Sequence, residues 1–274
     1  MTREHHGHPP ATEASLAPQP LRDASVRVLD SDPELGLRLP PDEIGGARAE
    51  LVAAVLPLAR GRCDLPADLG SGRLGFLVLD GVLARNIILA GTTCTELLGE
   101  GDVLQPSVGP RDDALVRYRV QWQVLAPARL AMLDPAFMRV LGRWPPVMSV
   151  LLERALRRAQ RMAIHQALLQ LSPVETRLLV LFWHLAERWG KVTPTGINLR
   201  LRLSHEVLGH LVGAQRASVT TALRHVGESG RLARRTDGTW LVRGSPPDEL
   251  DRVRWGAPNG LTGVAFAEAG TQTA

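Results

Sequence analysis

Cysteine and lysine are nearly absent from this 274-residue chain, and no long apolar run occurs anywhere in it. Two cysteines, Cys63 and Cys94, supply neither a disulfide framework nor, alone, a four-thiolate cluster, and they suit a reducing compartment. Lys191 is the single lysine among 32 basic side chains, a bias that GC-rich coding alone accounts for. No stretch approaches the ~20 unbroken apolar residues of a membrane span. The N-terminus lacks the basic start and apolar run of a secretory signal. Ser-His-Asp, HExxH and P-loop patterns are missing too. The expectation is a soluble, cytoplasmic chain with no membrane partner.

What is present suits about two domains at ~100–200 residues each. The chain is 45% hydrophobic and carries a net charge of +4. Residues 1–24, rich in Pro, His, Ala and Glu, read as a disordered leader. Its His5, His6 and His8 could bind a metal, yet a flexible tail holds such histidines for no purpose, and no metal site is expected. Over 25–144 short apolar runs alternate with glycine-containing turns. Asp80-Gly81 in "RLGFLVLDGVLARNIIL" (73–89) predicts a hairpin. In "ALVRYRVQWQVLAPARLAML" (114–133), Val116, Tyr118, Val120, Trp122 and Val124 share one face, as in a half-buried antiparallel strand. The pattern suggests a small β-barrel or sandwich.

After Pro145-Pro146 the period becomes helical. Met148, Leu152, Ala155, Ala159, Met162, Gln166 and Leu169 recur at steps of four and three, a heptad seam roughly 33 Å long. Small Ala155 and Ala159 would let two helices approach closely, so residues 145–171 read as a dimerisation helix. The alternative is one amphipathic helix packed on its own domain. Arg154, Arg157, Arg158 and Arg161 fall off the seam and read as a solvated face. A further helix follows, with Ser172 as N-cap, Pro173 at its first position and Glu175 in capping-box position. Then come a loop with Pro194 and Gly196, a helix pair, and a hairpin over 230–244. Residues 245–274 read as a flexible tail.

The helix pair, "LSHEVLGHLVGAQRASVTTALRHV" (203–226), breaks at Gly213. Leu208, Leu211 and Val212 would face inward from the first helix, and Val219, Ala222, Leu223 and Val226 from the second. That leaves Gln215, Arg216, Ser218, Thr220, Thr221 and Arg224 outward, a polar and cationic face with no acid. From Lys191 to Arg243 nine Lys/Arg stand against three acids, so positive charge concentrates where phosphate contact needs it. A helix-turn-helix uses such a second helix to read the major groove, and a hairpin such as the one bearing Arg234 and Arg235 to touch the backbone.

The order β-rich domain, long helix, "SHEVLGHLVGAQRASVTTALRHV" and wing resembles the Crp/Fnr family of bacterial transcription regulators. "LVG" at 211–213, Arg216, Ser218-Val219, Leu223 and Gly230 carry the likeness, as does "VETRLLVLFWHLA" (174–186) with its Arg177. The resemblance implies an α+β fold: an N-terminal β jelly-roll of the cyclic-nucleotide-binding type (25–144), the dimerisation helix, and a C-terminal winged helix-turn-helix (172–244). It implies a homodimer on double-stranded DNA with a two-fold operator, and RNA polymerase as a partner. Gln215, Arg216, Ser218, Thr220 and Thr221 would read bases, and Ser204, Arg224, Arg234 and Arg235 would hold phosphates. The seam would be Met148, Leu152, Ala155, Ala159 and Met162. The family often has Glu where Ala217 stands and Arg where Thr221 stands, so a different operator is expected.

The effector stays open. Gly101-Asp102 resembles the turn before the family's phosphate cassette, but "QPSVG" (105–109) replaces its Gly-Glu-x-Ala. None of Arg111, Arg117 or Arg119 is followed by Ser or Thr. Met162 and Ala163 stand where members that bind cyclic AMP offer hydroxyls to the base. Cyclic AMP in the usual mode is therefore not expected, nor any cofactor. An iron–sulfur cluster needs more cysteines, and His165 reads as a solvated or packed residue rather than a haem ligand. The rival reading is a ligand-binding module or an enzyme housed in the β-domain, with a merely structural C-terminal domain.

Overall fold

The computed structural model describes residues 24–66, 72–106 and 115–247. The histidines of the leader, Arg111 and the tail beyond 247 lie outside them. Among the described residues no helix is long and apolar enough to cross a membrane, and no cluster of His, Cys, Asp and Glu has the makings of a metal site.

The chain begins with β1 (Ser25–Arg27), α1 (Val28–Ser31), α2 (Ile44–Glu50) and β2 (Val52–Leu58). There follow β3 (Gly61–Cys63), β4 (Gly75–Leu89), β5 (Thr92–Gly99), β6 (Val103–Leu104) and β7 (Arg119–Leu133). These strands make one seven-stranded antiparallel sheet whose axis is the pair β4 and β7, matched from Gly75 with Leu133 to Ile88 with Arg119. Outer partners change halfway. On β4, β6 gives way to β5; on β7, β2 gives way to β3.

The change falls at a bulge, and the bulge is Asp80-Gly81. The expected hairpin turn is instead the middle of β4, where the register slips between Val78 and Leu83 and Gly81 adopts φ +87°. A Cβ at Gly81 would stand 2.3 Å from the Pro127 carbonyl oxygen, so β7 passes too close for any other residue. Asp-Gly serves a bulge as readily as a turn. The tight hairpin is Ala90-Gly91, both at positive φ (47° and 77°), between the paired Leu89 and Thr92. The expected alternation in 114–133 holds for Trp122 and Val124, but Val116 precedes the strand and is 61% exposed.

Strand alternation gives the sheet two apolar faces. Trp122, Val124, Ala128 and Leu130 meet Phe76, Val78, Leu83 and Leu98 in one core. Ala131, Leu133, Leu77 and Leu79 face a second core, closed by Phe137 of α3 (Pro135–Leu141) and by Val147, Val150 and Leu151 of α4 (Pro145–Leu169). Asp134 caps α3 by accepting from the Phe137 N–H at 2.8 Å.

The arginines of α4 do not form the solvated face expected of them. Arg154 is 7% exposed and pairs with Asp32 and Glu34. Arg158 donates to Glu96 through Nε at 2.6 Å and Nη2 at 2.8 Å, and Arg161 meets Asp102. Of the four only Arg157 is exposed. Heptad arithmetic says which residues share a face, not which distant acids cover it.

The remainder is α5 (Val174–Trp189), β8 (Gly190–Thr193), β9 (Gly196–Leu199), α6 (His205–Val212), α7 (Arg216–Glu228), β10 (Leu232–Arg234) and β11 (Trp240–Val242). The capping box at 172–175 does not form. Helix α5 starts at Val174 behind an extended Pro173, with no side-chain cap. Glu175 turns to His225 at 3.2 Å; its own backbone N–H, then His225, hold its carboxyl below the usual range. The expected loop around Pro194 and Gly196 is a second hairpin, β8–β9, which pairs with the wing in a four-stranded sheet ordered β10-β11-β9-β8. Leu178, Phe182, Leu208, Leu211, Val219 and Trp240 make the core of this half, and Val82 from the bulge and Leu97 of β5 join it.

Candidate nucleic-acid interface

The α6–α7 pair is built by two glycines. Ser204 caps α6 by accepting from the Val207 N–H at 3.2 Å. Gly213 ends it in the left-handed conformation, φ 60° and ψ 45°, which a side chain disfavours. Gly209 sets the distance between the helices: a Cβ there would lie 2.6 Å from the Ala214 carbonyl oxygen. The signal for Gly209 was the glycine itself, since mid-helix Gly costs about 1 kcal/mol against Ala and is kept where backbones must touch. The last carbonyls of α6 are satisfied from two other helices. Arg177 of α5 donates to Val212 at 2.7 Å and Gly213 at 3.4 Å, and His165 of α4 bonds the Leu211 carbonyl at 2.6 Å. His165 is thus a packing residue that joins α4 to the turn.

Helix α7 divides its faces as its sequence period requires. Val219, Ala222 and Val226 are buried and Leu223 is half-buried, whereas Gln215, Arg216, Ala217, Ser218, Thr220, Thr221 and Arg224 are exposed. Not all of these are equally free. Thr220 donates its hydroxyl to the Arg216 carbonyl at 3.0 Å and lies 2.9 Å from His205 Nδ1. Arg224 meets Glu228 at 3.4 Å, an exposed pair that holds it weakly. On the wing, Arg234 lies 5.8 Å over the Trp240 ring. Asp237 spends its carboxylate on the N–H and hydroxyl of Thr239, the first cause of its lowered pKa, and so shapes the turn that carries Arg235. Burial first, then Arg234 and Arg216, hold the His205 imidazole below its ordinary pKa. The start of α6, the start of α7 and the wing therefore share one positive field.

The seam residues are placed unequally. Leu152 is 60% exposed, Met162 37%, and Ala159 is exposed. Met148 packs on the second sheet core, and Ala155 is half-buried. Leu156, which the heptad skipped, is 62% exposed beside them.

In the β-domain, Arg117 and Arg119 are exposed. The guanidinium groups that line a cavity there, about 510 Å³ in volume, are Arg73, Arg85 and Arg158, together with Gln105, Tyr118 and Ala155. Arg85 and Arg158 both reach Glu96, so much of their charge is met internally. Asp102, at the turn singled out for its Gly-Asp pair, is 2% exposed and takes the Gly99 N–H as well as Arg161 and Arg188. Neither role is legible in the sequence, because the contacts of Arg158 with Glu96 and of Arg161 and Arg188 with Asp102 each span more than fifty residues.

No family model matches the sequence, and no curated protein matches it. Solved structures do. A CooA mutant from Carboxydothermus hydrogenoformans is 20% identical with a TM-score of 0.54, over 69% of this chain and 83% of that one. FixK2 from Bradyrhizobium japonicum is 16% identical with a TM-score of 0.55, over 75% and 99%. The c-di-GMP-responsive global regulator CLP of Xanthomonas campestris is 18% identical with a TM-score of 0.52, over 70% and 95%. The α+β fold of this chain, a β-barrel-like domain followed by a long helix and a helical domain with a small sheet, is the fold of these Crp/Fnr-type regulators.

Proposed function

We propose that the chain is a sequence-specific DNA-binding transcription regulator of the Crp/Fnr type, acting as a homodimer on a two-fold operator. Residues 25–144 form its sensor, 145–171 its dimerisation helix and 172–244 its reading head. The observation that carries this is the exposed face of α7, polar and cationic, set on a left-handed Gly213 turn with Arg216 and the wing's Arg234 in one field. Arg216 has the planar fork that pairs with guanine O6 and N7, with Gln215, Ser218 and Thr221 beside it. Arg224, Arg234, Arg235 and Ser204 serve the phosphates. The dimer rests on the exposed Leu152, Ala159 and Met162 of α4. RNA polymerase enters as a partner through the family resemblance alone. The sensor lacks the family's phosphate cassette, and no cofactor or cyclic AMP of the usual mode belongs to the reading.

The test is selection of bound sites from random duplex DNA, then titration of the selected duplex against salt. Enrichment of a two-fold sequence, with affinity falling steeply as salt rises, is the expected result. Equal affinity for selected and random duplexes would remove the reading.

A further inference from the structure

His205 is the first residue of α6, partly buried, and it reaches across to α7, where Nδ1 lies 2.9 Å from the Thr220 hydroxyl. That hydroxyl has one proton, and it goes to the Arg216 carbonyl at 3.0 Å. Thr220 is therefore the acceptor in the second bond and His205 Nδ1 the donor. The neutral imidazole is left with its lone pair on Nε2. The charged groups that face it are Arg216 of α7 and Arg234 of β10, and Glu206 adjoins it on α6. An uncharged, lone-pair-bearing nitrogen thus lies at the start of α6, next to α7 and within the field of Arg216 and Arg234.

We propose that His205 is a proton-linked DNA contact, which fixes Thr220 and takes a proton from solvent onto Nε2 when a backbone phosphate settles against the start of α6 beside it. The inference rests on the DNA-binding reading above. Its chemistry is simple: a phosphate oxygen accepts only, so Nε2 can bond it only as N–H. In the free protein burial, Arg234 and Arg216 disfavour the imidazolium. A phosphate offsets the two arginines and supplies an acceptor, so the pKa is higher in the complex than in the free protein. Binding therefore takes up a proton. The gain is complete below the free-state pKa and is lost as pH rises through the pKa of the complex. The same geometry deepens the reading of Thr220. Its hydroxyl is committed within the protein, and its methyl is what remains to meet a thymine methyl.

The experiment measures the affinity of a wild-type-selected duplex from about pH 5 to pH 8 at constant salt, the range in which histidine titrates. Three proteins are compared: wild type, His205→Gln and His205→Arg. Wild-type affinity should fall with rising pH, by up to about tenfold per unit for each protomer. The other histidines of this half are untouched in His205→Gln, so the slope it loses is the share of His205. His205→Arg, charged throughout, should bind tightly with that share absent. If His205→Gln keeps the whole wild-type slope, the proposal is overturned. If His205→Gln binds nowhere, recovery in His205→Arg upholds the proposal and continued loss overturns it. Wild type that binds no duplex at any pH overturns the DNA-binding reading itself, a result distinct from a flat pH profile with binding intact.

Discussion

Arg188 reaches Asp102 at 2.6 Å and so ties the end of α5 to the turn after β5. Arg161 of α4 meets the same carboxylate, and Arg188 also donates to the Glu100 carbonyl at 3.1 Å while its guanidinium stacks 4.4 Å over Trp189. One buried acid therefore joins the β-domain, the long helix α4 and the C-terminal domain. Asp102→Asn keeps the shape and removes the charge, which leaves two guanidinium groups facing each other. Breaking such a pair costs on the order of 3 kcal/mol, and a chain this size loses about 2–4 °C of Tm per kcal/mol. Thermal unfolding should show a fall of roughly 6–12 °C. A Tm within about 1 °C of wild type would show that the carboxylate does not hold the halves together.

Gly209 should tolerate no side chain. The atom a Cβ would strike at 2.6 Å is the Ala214 carbonyl oxygen, part of the backbone and unable to swing away. Gly209→Ala must separate α6 from the start of α7, at about 1–3 kcal/mol. It should weaken DNA binding more than Gly227→Ala, where the nearest atom lies at an ordinary 3.8 Å. Equal behaviour of the two variants in Tm and in DNA affinity would refute the assignment.

What is legible in this sequence follows the range of the forces involved. The α6–α7 pair was legible because its determinants are local: Ser204 caps within three residues, Gly213 turns the chain, and the apolar period picks the inner face. The wing was legible for the same reason. Asp80-Gly81 misled because a bulge and a turn use the same dipeptide, and only the length of β7 opposite decides between them. The α4 arginines misled because Asp32, Glu96 and Asp102 are far away in sequence. The β8–β9 hairpin was missed because Pro194 and Gly196 look like a loop until β11 pairs with β9 beside them.

The exposed apolar residues of α4 should control assembly. Leu152 and Leu156 are 60% and 62% exposed on a helix whose opposite side is packed on the sheet. Covering a leucine side chain is worth about 1.5–3 kcal/mol, and a glutamate at either position forfeits that and adds charge. Leu156→Glu should shift the proposed dimer to monomer in light scattering while far-UV circular dichroism stays unchanged. A dimer that survives Leu152→Glu and Leu156→Glu together would place the interface elsewhere.

The two thiols should react slowly. Burial first, then Asp64, pushes the Cys63 thiol from 9.0 up to about 11, and burial with Glu96 raises Cys94 as well. Because the thiolate is the nucleophile, alkylation of Cys63 near neutral pH should run about 10²-fold below a free thiol of ordinary pKa. Unfolding in denaturant should restore the ordinary rate. Peptide-resolved alkylation that finds Cys63 as fast folded as unfolded would contradict the burial.

Arg216 should carry sequence preference rather than bulk affinity. It stands exposed at the first position of α7, with no acid on the face around it, so its guanidinium is not spent within the protein. Arg216→Ala should cost about 1–3 kcal/mol on a selected duplex and little on a random one, narrowing the gap between them. Arg235→Ala, on the wing, should weaken both duplexes alike and lower the salt dependence. Competition titrations with the two duplexes separate these outcomes. If Arg216→Ala and Arg235→Ala changed the two affinities in the same proportion, Arg216 would be a phosphate contact and the base-reading assignment would fall.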